Sequence, residues 1–366
     1  MQWISIRHCA SLALVLLSAG CTHLAMPAVP GDPLVVSLPF QASGISDGRA
    51  QFADIFSAEL PNTGDDNEVW KWLHPLAEGL APRAAPTIGI HGLSVLIVPG
   101  ILGDCVDGQA LPFSDGRVRV RPRNYTEGYA HLENQLGVRV RAIEVRGRAS
   151  SQFNAAIIAR ELTLEAQKSE VHHIVLVAYS KGVPDTLVAL AALDSTRLLP
   201  AKVRALVSIS GVVMGTPIAD RMEWLYENLA AKLSPLDCTA STGGEVTSLT
   251  VRERTTWLVR NAVPQSVKPY SVVAHIHRDA AAPALVPSYD ALATVNRLND
   301  GQVLAGSMLL PNATLLAEVK SDHWTYVLAL NRSPSLLVRS MASPTDFPRD
   351  AFFRAIVKTV ATDISR

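Results

Sequence analysis

The sequence predicts an α/β fold with a doubly wound, mostly parallel β-sheet. Short apolar runs end in turn residues, as where residues 94–98 precede Pro99 and Gly100. Such runs are typical of strands that are buried on both faces. Between them the apolar residues recur with helical spacing, most clearly over residues 151–168. Strands that alternate with helices in this way indicate a parallel sheet with helices on both faces.

Six segments are predicted to be strands. Five are apolar runs, and the sixth alternates apolar and charged residues, which favours a place nearer the sheet edge. In chain order the segments are residues 94–98, 138–145 (the alternating one), 173–177, 203–209, 271–276 and 313–319. Helices are predicted over residues 151–168 and 183–193, and from Tyr326 onward.

Size and charge limit the classes of function. The chain has 366 residues, 48% of them hydrophobic, which is enough for a single large core. The 33 Lys and Arg residues balance 33 Asp and Glu residues, so the formal net charge is zero. Composition therefore gives no electrostatic reason to expect a nucleic-acid partner.

The N-terminus has the pattern of an export signal. Arg7 and His8 precede an apolar stretch, residues 9–17, that is too short to span a bilayer. The small residues that follow and end at Cys21 resemble a bacterial lipoprotein signal, in which the cysteine becomes the lipidated N-terminus. The resemblance implies a signal peptide over residues 1–21 and a membrane-anchored lipoprotein on the periplasmic or outer face of a bacterial envelope. An ordinary secretory signal, and hence a secreted protein, is the alternative.

Residues 22–33 contain three prolines and are predicted to be a tether between the membrane and the domain. The α/β domain is predicted over residues 34–366. Within it, residues 221–263 are mostly helical by pattern and lie between two predicted strands, which predicts a lid or cap insertion. An ordinary pair of crossover helices is the alternative. Residues 34–86 have no pattern that assigns them a role.

Two cysteines remain once Cys9 and Cys21 are set aside with the export signal. In an oxidising exported compartment, Cys105 and Cys238 are able to form a disulfide. Two separate thiols are the alternative, because the sequence gives no distance between them.

Ser180 has the surroundings of a nucleophilic serine. It stands in Ala178-Tyr179-Ser180-Lys181-Gly182, directly after a predicted buried strand and before a predicted helix. A sharp turn from strand to helix needs small residues two positions before and after the serine, and Ala178 and Gly182 meet that need. The helix also directs its free N–H groups at the turn. The pattern predicts that Ser180 is a nucleophile.

Together with a second loop, this turn resembles the α/β-hydrolase superfamily, and bacterial lipases and esterases within it. Pro99-Gly100-Ile101-Leu102-Gly103 looks like the His-Gly-x-x-Gly oxyanion loop of bacterial lipases, with Pro in place of His. The resemblance implies that the backbone N–H groups of Ile101 and Lys181 stabilise an oxyanion. Gly215-Thr216-Pro217 is similar to a segment of lipases related to the GPI-inositol deacylases.

A serine nucleophile needs a histidine base, and the superfamily places that base after a late strand. His323 follows the predicted strand 313–319 and meets this requirement. His275 and His277 precede the candidate acid Asp300 along the chain, whereas the superfamily order is serine, acid, histidine.

The acid that orients the base has one leading candidate. Asn299-Asp300-Gly301-Gln302-Val303 resembles a segment of bacterial lipases, which implies that Asp300 is the acid. Asp279 is the alternative acid, because it comes directly after the predicted strand 271–276, and Asp290 is a further one.

These residues predict a serine ester hydrolase, lipase-like or carboxylesterase-like, that works through an acyl-enzyme. Its substrate would be a small-molecule or lipid ester, and the chemistry requires no cofactor and no catalytic metal. An amidase, a thioesterase or a polyester depolymerase would use the same triad, because pocket shape selects the substrate. An inactive, membrane-tethered binding protein is the alternative from another class. Lys181, next to the nucleophile, would either favour an anionic substrate or point into solvent.

Overall fold

A seven-stranded sheet organises the described part of the chain. The computed structural model describes residues 44–61, 67–76, 91–101, 103, 111–114, 129–221 and 242–365. The predicted signal peptide and tether, Cys21, Cys105, Cys238 and residues 222–241 of the predicted lid lie outside these ranges. Within the same ranges, no helix combines the length and the apolar character that a bilayer crossing needs.

Neighbouring strands of the sheet are all parallel. The strands are β1 (Ser46–Asp47), β2 (Leu93–Val98), β3 (Arg139–Ala142), β4 (His173–Tyr179), β5 (Val203–Ile209), β6 (Lys268–His275) and β7 (Thr314–Lys320). Their spatial order is β1-β7-β6-β5-β4-β2-β3. Each predicted segment overlaps one of these strands, with ends that differ by up to three residues, and β1 is an additional edge strand. The prediction of a doubly wound, mostly parallel α/β sheet is confirmed.

Alternate residues of the central strands pack into different cores, because successive side chains of a strand point to opposite faces. In β2, Val95 and Ile97 join one core, whereas Leu96 and Val98 join the other. All four are fully buried. This burial explains why the central strands are continuous apolar runs instead of alternating ones.

Nine α-helices are described around the sheet. They are α1 (Arg49–Glu59), α2 (Val69–Trp72), α3 (Ala130–Leu136), α4 (Ser151–Ala166), α5 (Gly182–Ser195), α6 (Val251–Arg260), α7 (Val286–Ala293), α8 (Leu336–Met341) and α9 (Arg349–Ile364). Helices α4 and α5 cover one face of the sheet, and α1, α3 and α9 cover the other. Because neighbouring strands are parallel, their carboxyl ends meet at one edge of the sheet, where loops can hold a site.

The described parts of residues 34–86, to which the sequence pattern assigns no role, cover one edge of the sheet. Strand β1 pairs with β7, and Phe52 of α1 packs edge-to-face on Phe352 of α9 with 5.3 Å between ring centroids. The His74 N–H donates to the Glu318 carbonyl of β7 at 2.9 Å. The pairing with β1 and the His74 hydrogen bond occupy backbone groups of β7 that a bare edge strand would leave unpaired.

The prediction of a helix from Tyr326 is wrong. The chain makes turns there and then forms the short 3-10 helix Leu330–Arg332. The Val327 carbonyl accepts the Phe113 N–H at 2.8 Å. A neighbouring loop thus takes the acceptor that the next turn of an α-helix would need.

Candidate active site

Ser180 lies directly after β4, at the carboxyl edge of the sheet. Its φ is +54°, a conformation that costs a non-glycine residue about 1–3 kcal/mol. The turn is held because the Ser180 N–H donates to the Ile209 carbonyl at 3.0 Å. Helix α5 begins at Gly182, two residues after the serine. A Cβ at this position would lie 2.4 Å from the Val98 carbonyl oxygen, so a larger residue would clash with β2. The small residue of the sequence pattern therefore makes room for the neighbouring strand.

Three side chains at this edge form one hydrogen-bonded chain. His323 Nε2 lies 2.8 Å from Ser180 Oγ, and His323 Nδ1 lies 2.7 Å from Asp300 Oδ2. Asp300 is fully buried, and Ser180 and His323 are 7% and 4% exposed. A carboxylate beside Nδ1 favours the tautomer with its proton on Nδ1, so that Nε2 can accept a proton from the serine. The structure thus brings together the three residues that the sequence singles out.

The Asp300 carboxylate is held by its own loop as well as by the histidine. Its Oδ1 accepts the Gln302 N–H at 2.9 Å and the Val303 N–H at 2.8 Å. With one oxygen fixed by the backbone, the other faces His323. The Asp-Gly turn of the sequence therefore serves to aim the carboxylate.

The alternative acids lie in other surroundings. The Asp279 side chain is 78% exposed, and its carboxylate lies 3.5 Å from His277. The Asp290 carboxylate pairs with Arg278 at 2.6 Å and is 47% exposed. Among the contacts of the described residues, neither carboxylate reaches His323.

The turn that carries His323 is fixed at several points. The His323 N–H donates to the Asp300 carbonyl at 2.8 Å, and the Tyr179 hydroxyl donates to the His323 carbonyl at 2.7 Å. The Asp322 carboxylate accepts the Trp324 N–H at 2.9 Å. Burial raises the pKa of the Asp322 carboxyl, and such hydrogen bonds oppose the rise. The sequence gives no signal for the Tyr179 contact, since 144 positions separate the two residues.

Ile101 and Lys181, whose N–H groups the resemblance assigns to the oxyanion, stand close to Ser180. Ile101 lines the same cavity as Ser180. A Cβ on Gly100 would lie 3.0 Å from the Ser180 Cβ, so the loop passes directly over the serine. In the described part of the chain, neither N–H donates to a protein acceptor. Both donors are therefore available to a bound group.

The two roles predicted for the Lys181 side chain, binding an anionic substrate or pointing into solvent, are both wrong. The side chain is 1% exposed, and its ammonium lies 2.7 Å from Asp185 Oδ2 and 2.9 Å from Asp185 Oδ1. Asp185 follows four residues later, on the same face of helix α5. A buried ammonium needs such a partner, because isolated charge is costly away from water.

A cavity of about 280 Å³ lies beside Ser180 and His323. Its lining is mostly apolar and includes Ile101, Val212, Ile218, Val246, Leu249, Val303 and Leu328. Pockets of this character, with a few polar groups at one place, are typical of small-molecule sites. The cavity can therefore hold an apolar group that is joined to a reacting centre at Ser180.

Gly215-Thr216-Pro217 has a structural role that its sequence does not reveal. The Thr216 N–H donates to the Leu249 carbonyl at 2.9 Å, and the Thr216 hydroxyl donates to the Gln302 carbonyl at 2.6 Å. A Cβ on Gly215, where φ is +85°, would lie 2.5 Å from the Val251 Cα. The segment therefore joins the described end of the predicted lid to the loop of Asp300.

Comparison with solved structures identifies similar proteins. A metagenomic carboxyl esterase is 29% identical, with a TM-score of 0.76 over 95% of this chain and 99% of that chain. EstA from Clostridium botulinum is 11% identical, with a TM-score of 0.51 over 87% of this chain and 99% of that chain, which is a likeness of fold. No protein-family model matches the sequence, and a search of curated proteins returns no match.

Proposed function

We propose that this chain, which is a member of the α/β-hydrolase superfamily by its fold, is a serine carboxylic ester hydrolase that works through an acyl-enzyme. The observation that carries the proposal is the continuous chain from Ser180 Oγ through His323 to Asp300 Oδ2, with distances of 2.8 Å and 2.7 Å. The likeness to a carboxyl esterase over nearly the whole of both chains supports an ester as the bond that is cleaved.

The proposed reaction begins when Ser180 Oγ attacks the ester carbonyl. His323 Nε2 takes the serine proton, and Asp300 stabilises the imidazolium through the proton on Nδ1. The N–H groups of Ile101 and Lys181 stabilise the negative charge that develops on the carbonyl oxygen. His323 then gives its proton to the leaving alcohol. In the second half, His323 removes a proton from the water that attacks the acyl-enzyme carbonyl. It then returns that proton to Ser180 Oγ as the bond between Ser180 and the acyl group breaks, which frees the acid.

We propose that the cavity takes the acyl chain of the ester. Because it borders Ser180 and is lined mainly by apolar side chains, an acyl chain can enter it while the alcohol leaves toward solvent. Val246 lines the cavity and is 7% exposed. We expect Val246→Phe to lower kcat/KM for longer p-nitrophenyl esters more than for the acetate ester. Val259→Phe, at a position 86% exposed, is the matched control.

Covalent labelling tests the nucleophile. Purified protein should react with a fluorophosphonate probe and hydrolyse p-nitrophenyl butyrate, and Ser180→Ala should lose both without a change in melting temperature. Ser195→Ala, at an exposed serine of the same helix, should keep both. Labelling or turnover that survives in folded Ser180→Ala would contradict the proposal.

Export and anchoring through a lipidated Cys21 are a separate proposal, supported by the signal pattern of residues 1–21. We expect a bacterium that expresses the full chain to incorporate labelled palmitate into it and to retain it in the membrane fraction. Cys21→Ser should abolish both, whereas Cys9→Ser, inside the predicted signal, should not. A Cys21→Ser protein that still carries the label would contradict lipidation at this residue.

A further inference from the structure

Strands β4 and β5, neighbours in the sheet, are each followed by a serine with positive φ. Ser180 has a φ of +54° and Ser210 has a φ of +41°. Because Tyr179 pairs with Ile209, the two serines occupy equivalent positions on adjacent strands. The Ser210 N–H donates to the Val272 carbonyl at 3.1 Å, as the Ser180 N–H does to the carbonyl of Ile209. Strained backbone of this kind persists where the surrounding structure holds it, and it is concentrated at functional sites.

The Ser210 hydroxyl is directed at Asp300. Ser210 Oγ lies 2.9 Å from Asp300 Oδ2, the same oxygen that lies 2.7 Å from His323 Nδ1. The other oxygen is held by two backbone N–H groups of the Asp300 loop. Ser210 follows β5 and is not part of the Asp300 loop. Its hydrogen bond to Oδ2 therefore adds a second, independent contact that prevents the carboxylate from rotating. A carboxylate held in this way keeps Oδ2 on the imidazole.

Tyr326 sets the direction of the Ser210 hydrogen bond. Its hydroxyl lies 2.7 Å from Ser210 Oγ, and its ring is fully buried against Phe347 and Phe352. Burial raises the pKa of the Tyr326 phenol well above its usual range, so the phenol remains a donor. Ser210 Oγ accepts that hydrogen bond, and its own hydrogen is then directed to Asp300 Oδ2.

These contacts close a ring of hydrogen bonds around Asp300. His323 and Tyr326 belong to one turn, and His323 reaches Asp300 directly while Tyr326 reaches it through Ser210. We propose that Ser210 and Tyr326 are positioning residues that hold Asp300 in the rotamer that orients the His323 imidazole toward Ser180. The inference rests on the proposed function, because it assigns both residues a task within that triad.

Ser210→Ala and Tyr326→Phe test the inference, with Tyr270→Phe as the matched control. Tyr270 is also buried and its hydroxyl donates to Asp363 at 2.6 Å, but it lies in the amino-terminal half of β6, away from the carboxyl edge. We expect kcat for p-nitrophenyl butyrate to fall about 10-fold in each test variant, as for one lost hydrogen bond. KM should stay within about twofold, because neither residue lines the cavity. The control should retain the wild-type kcat.

Two further readouts separate positioning from general loosening. The proton on His323 Nδ1 should give a far-downfield ¹H NMR resonance that shifts in both test variants and stays in place in Tyr270→Phe. The double variant should be no slower than Ser210→Ala, because Tyr326 acts through Ser210. If Ser210→Ala does not fold, Tyr326→Phe and the resonance decide alone.

Wild-type kcat and an unshifted resonance in folded Tyr326→Phe would overturn the inference, and so would fully additive losses in the double variant. Failure of the proposed function has a different signature, since turnover would then survive in Ser180→Ala. The two outcomes are therefore distinguishable in one set of proteins.

Discussion

The Lys181 ammonium lies 2.7 Å and 2.9 Å from the two carboxylate oxygens of Asp185, and both side chains are 1% exposed. Asp185 also accepts hydrogen bonds from the Ser151 hydroxyl at 2.6 Å and from the Asn154 amide at 2.7 Å. The pair therefore ties the first turn of α5, which begins beside Ser180, to helix α4.

Removal of the Lys181 charge should leave the Asp185 carboxylate buried without its cation. We expect Lys181→Met to lower the free energy of unfolding by roughly 3–5 kcal/mol, as when one partner of a buried ion pair is removed. The midpoint of urea denaturation measures the change. The double variant Lys181→Met/Asp185→Asn removes both charges and should be more stable than the single one. A single variant with the wild-type midpoint would show that the pair contributes little.

Asp300→Asn should be far more damaging to activity than Asp279→Asn. Asparagine keeps the shape of the side chain but can present an N–H to His323 Nδ1, which favours the tautomer that cannot accept the serine proton. We expect kcat to fall about 10⁴-fold, as for the equivalent change in a serine protease triad. Asp279→Asn, at a position 78% exposed, should keep nearly full kcat. If Asp279→Asn were the inactive variant instead, the acid would not be Asp300.

The turn at Ser180 can be predicted from the sequence because its requirements are local. A buried strand, two small residues and a helix start lie within one short segment. The strands of the sheet can also be predicted from the sequence, since strands buried on both faces must be apolar throughout. The candidate base His323 follows from chain order once the fold is assumed, whereas the acid Asp300 follows from the resemblance of its segment to bacterial lipases, because chain order alone also allows Asp279 and Asp290. The distance between Asp300 and His323 requires the structure.

The features that the sequence does not predict depend on contacts between distant parts of the chain. The Tyr326 hydroxyl meets Ser210 across 116 positions, and nothing in either local sequence indicates it. The helix expected from Tyr326 fails because Phe113, on another loop, takes the Val327 carbonyl. The prediction for the Lys181 side chain is wrong for a different reason. A charged residue is expected at the surface, and only burial reveals that Asp185 neutralises it.

Gly215→Ala and Gly243→Ala separate backbone strain from close packing, because both glycines have a φ of +85°. A Cβ at Gly243 meets nothing within 4 Å, whereas a Cβ at Gly215 would lie 2.6 Å from the Val251 nitrogen. We expect Gly243→Ala to cost about 1 kcal/mol of unfolding free energy, and Gly215→Ala to cost at least about 2 kcal/mol more. Urea denaturation of both variants measures the difference.

Gly215→Ala should also change catalysis, because the clash displaces the segment that contains Leu249, which lines the cavity. KM for longer p-nitrophenyl esters should rise in Gly215→Ala and stay unchanged in Gly243→Ala. Equal stability and equal KM in the two variants would mean that the close approach at Gly215 has no functional consequence.

Glu165 should make the stability of the protein depend on pH in the acidic range. Its side chain is fully buried, and its carboxylate accepts hydrogen bonds from Lys168 at 2.7 Å, Ser94 at 2.8 Å and Arg141 at 3.0 Å. Burial alone would raise the pKa of this carboxyl, but the hydrogen bonds from Lys168 and Ser94 and the charge of Arg141 outweigh it and lower the pKa.

Because the pKa of Glu165 is lower in the folded than in the unfolded state, the unfolded chain binds more protons in this range. The stabilisation is therefore fully present above the unfolded pKa, about 4.3, and is lost as the pH falls through the folded value. Glu165→Gln should lower the free energy of unfolding by roughly 1.5–3 kcal/mol near neutral pH, as for a hydrogen bond to a charged group, and the deficit should shrink as the pH falls below about 4.

Glu170→Gln is the matched control, because Glu170 is 56% exposed and pairs with Arg139 at 3.5 Å, next to the same cluster. An exposed pair of this kind contributes about 0–1 kcal/mol, so the control should follow the wild-type curve. Urea midpoints of the three proteins across the acidic range measure both effects. A Glu165→Gln deficit that stays constant down to the lowest pH would show that Glu165 stabilises the fold through packing instead of charge.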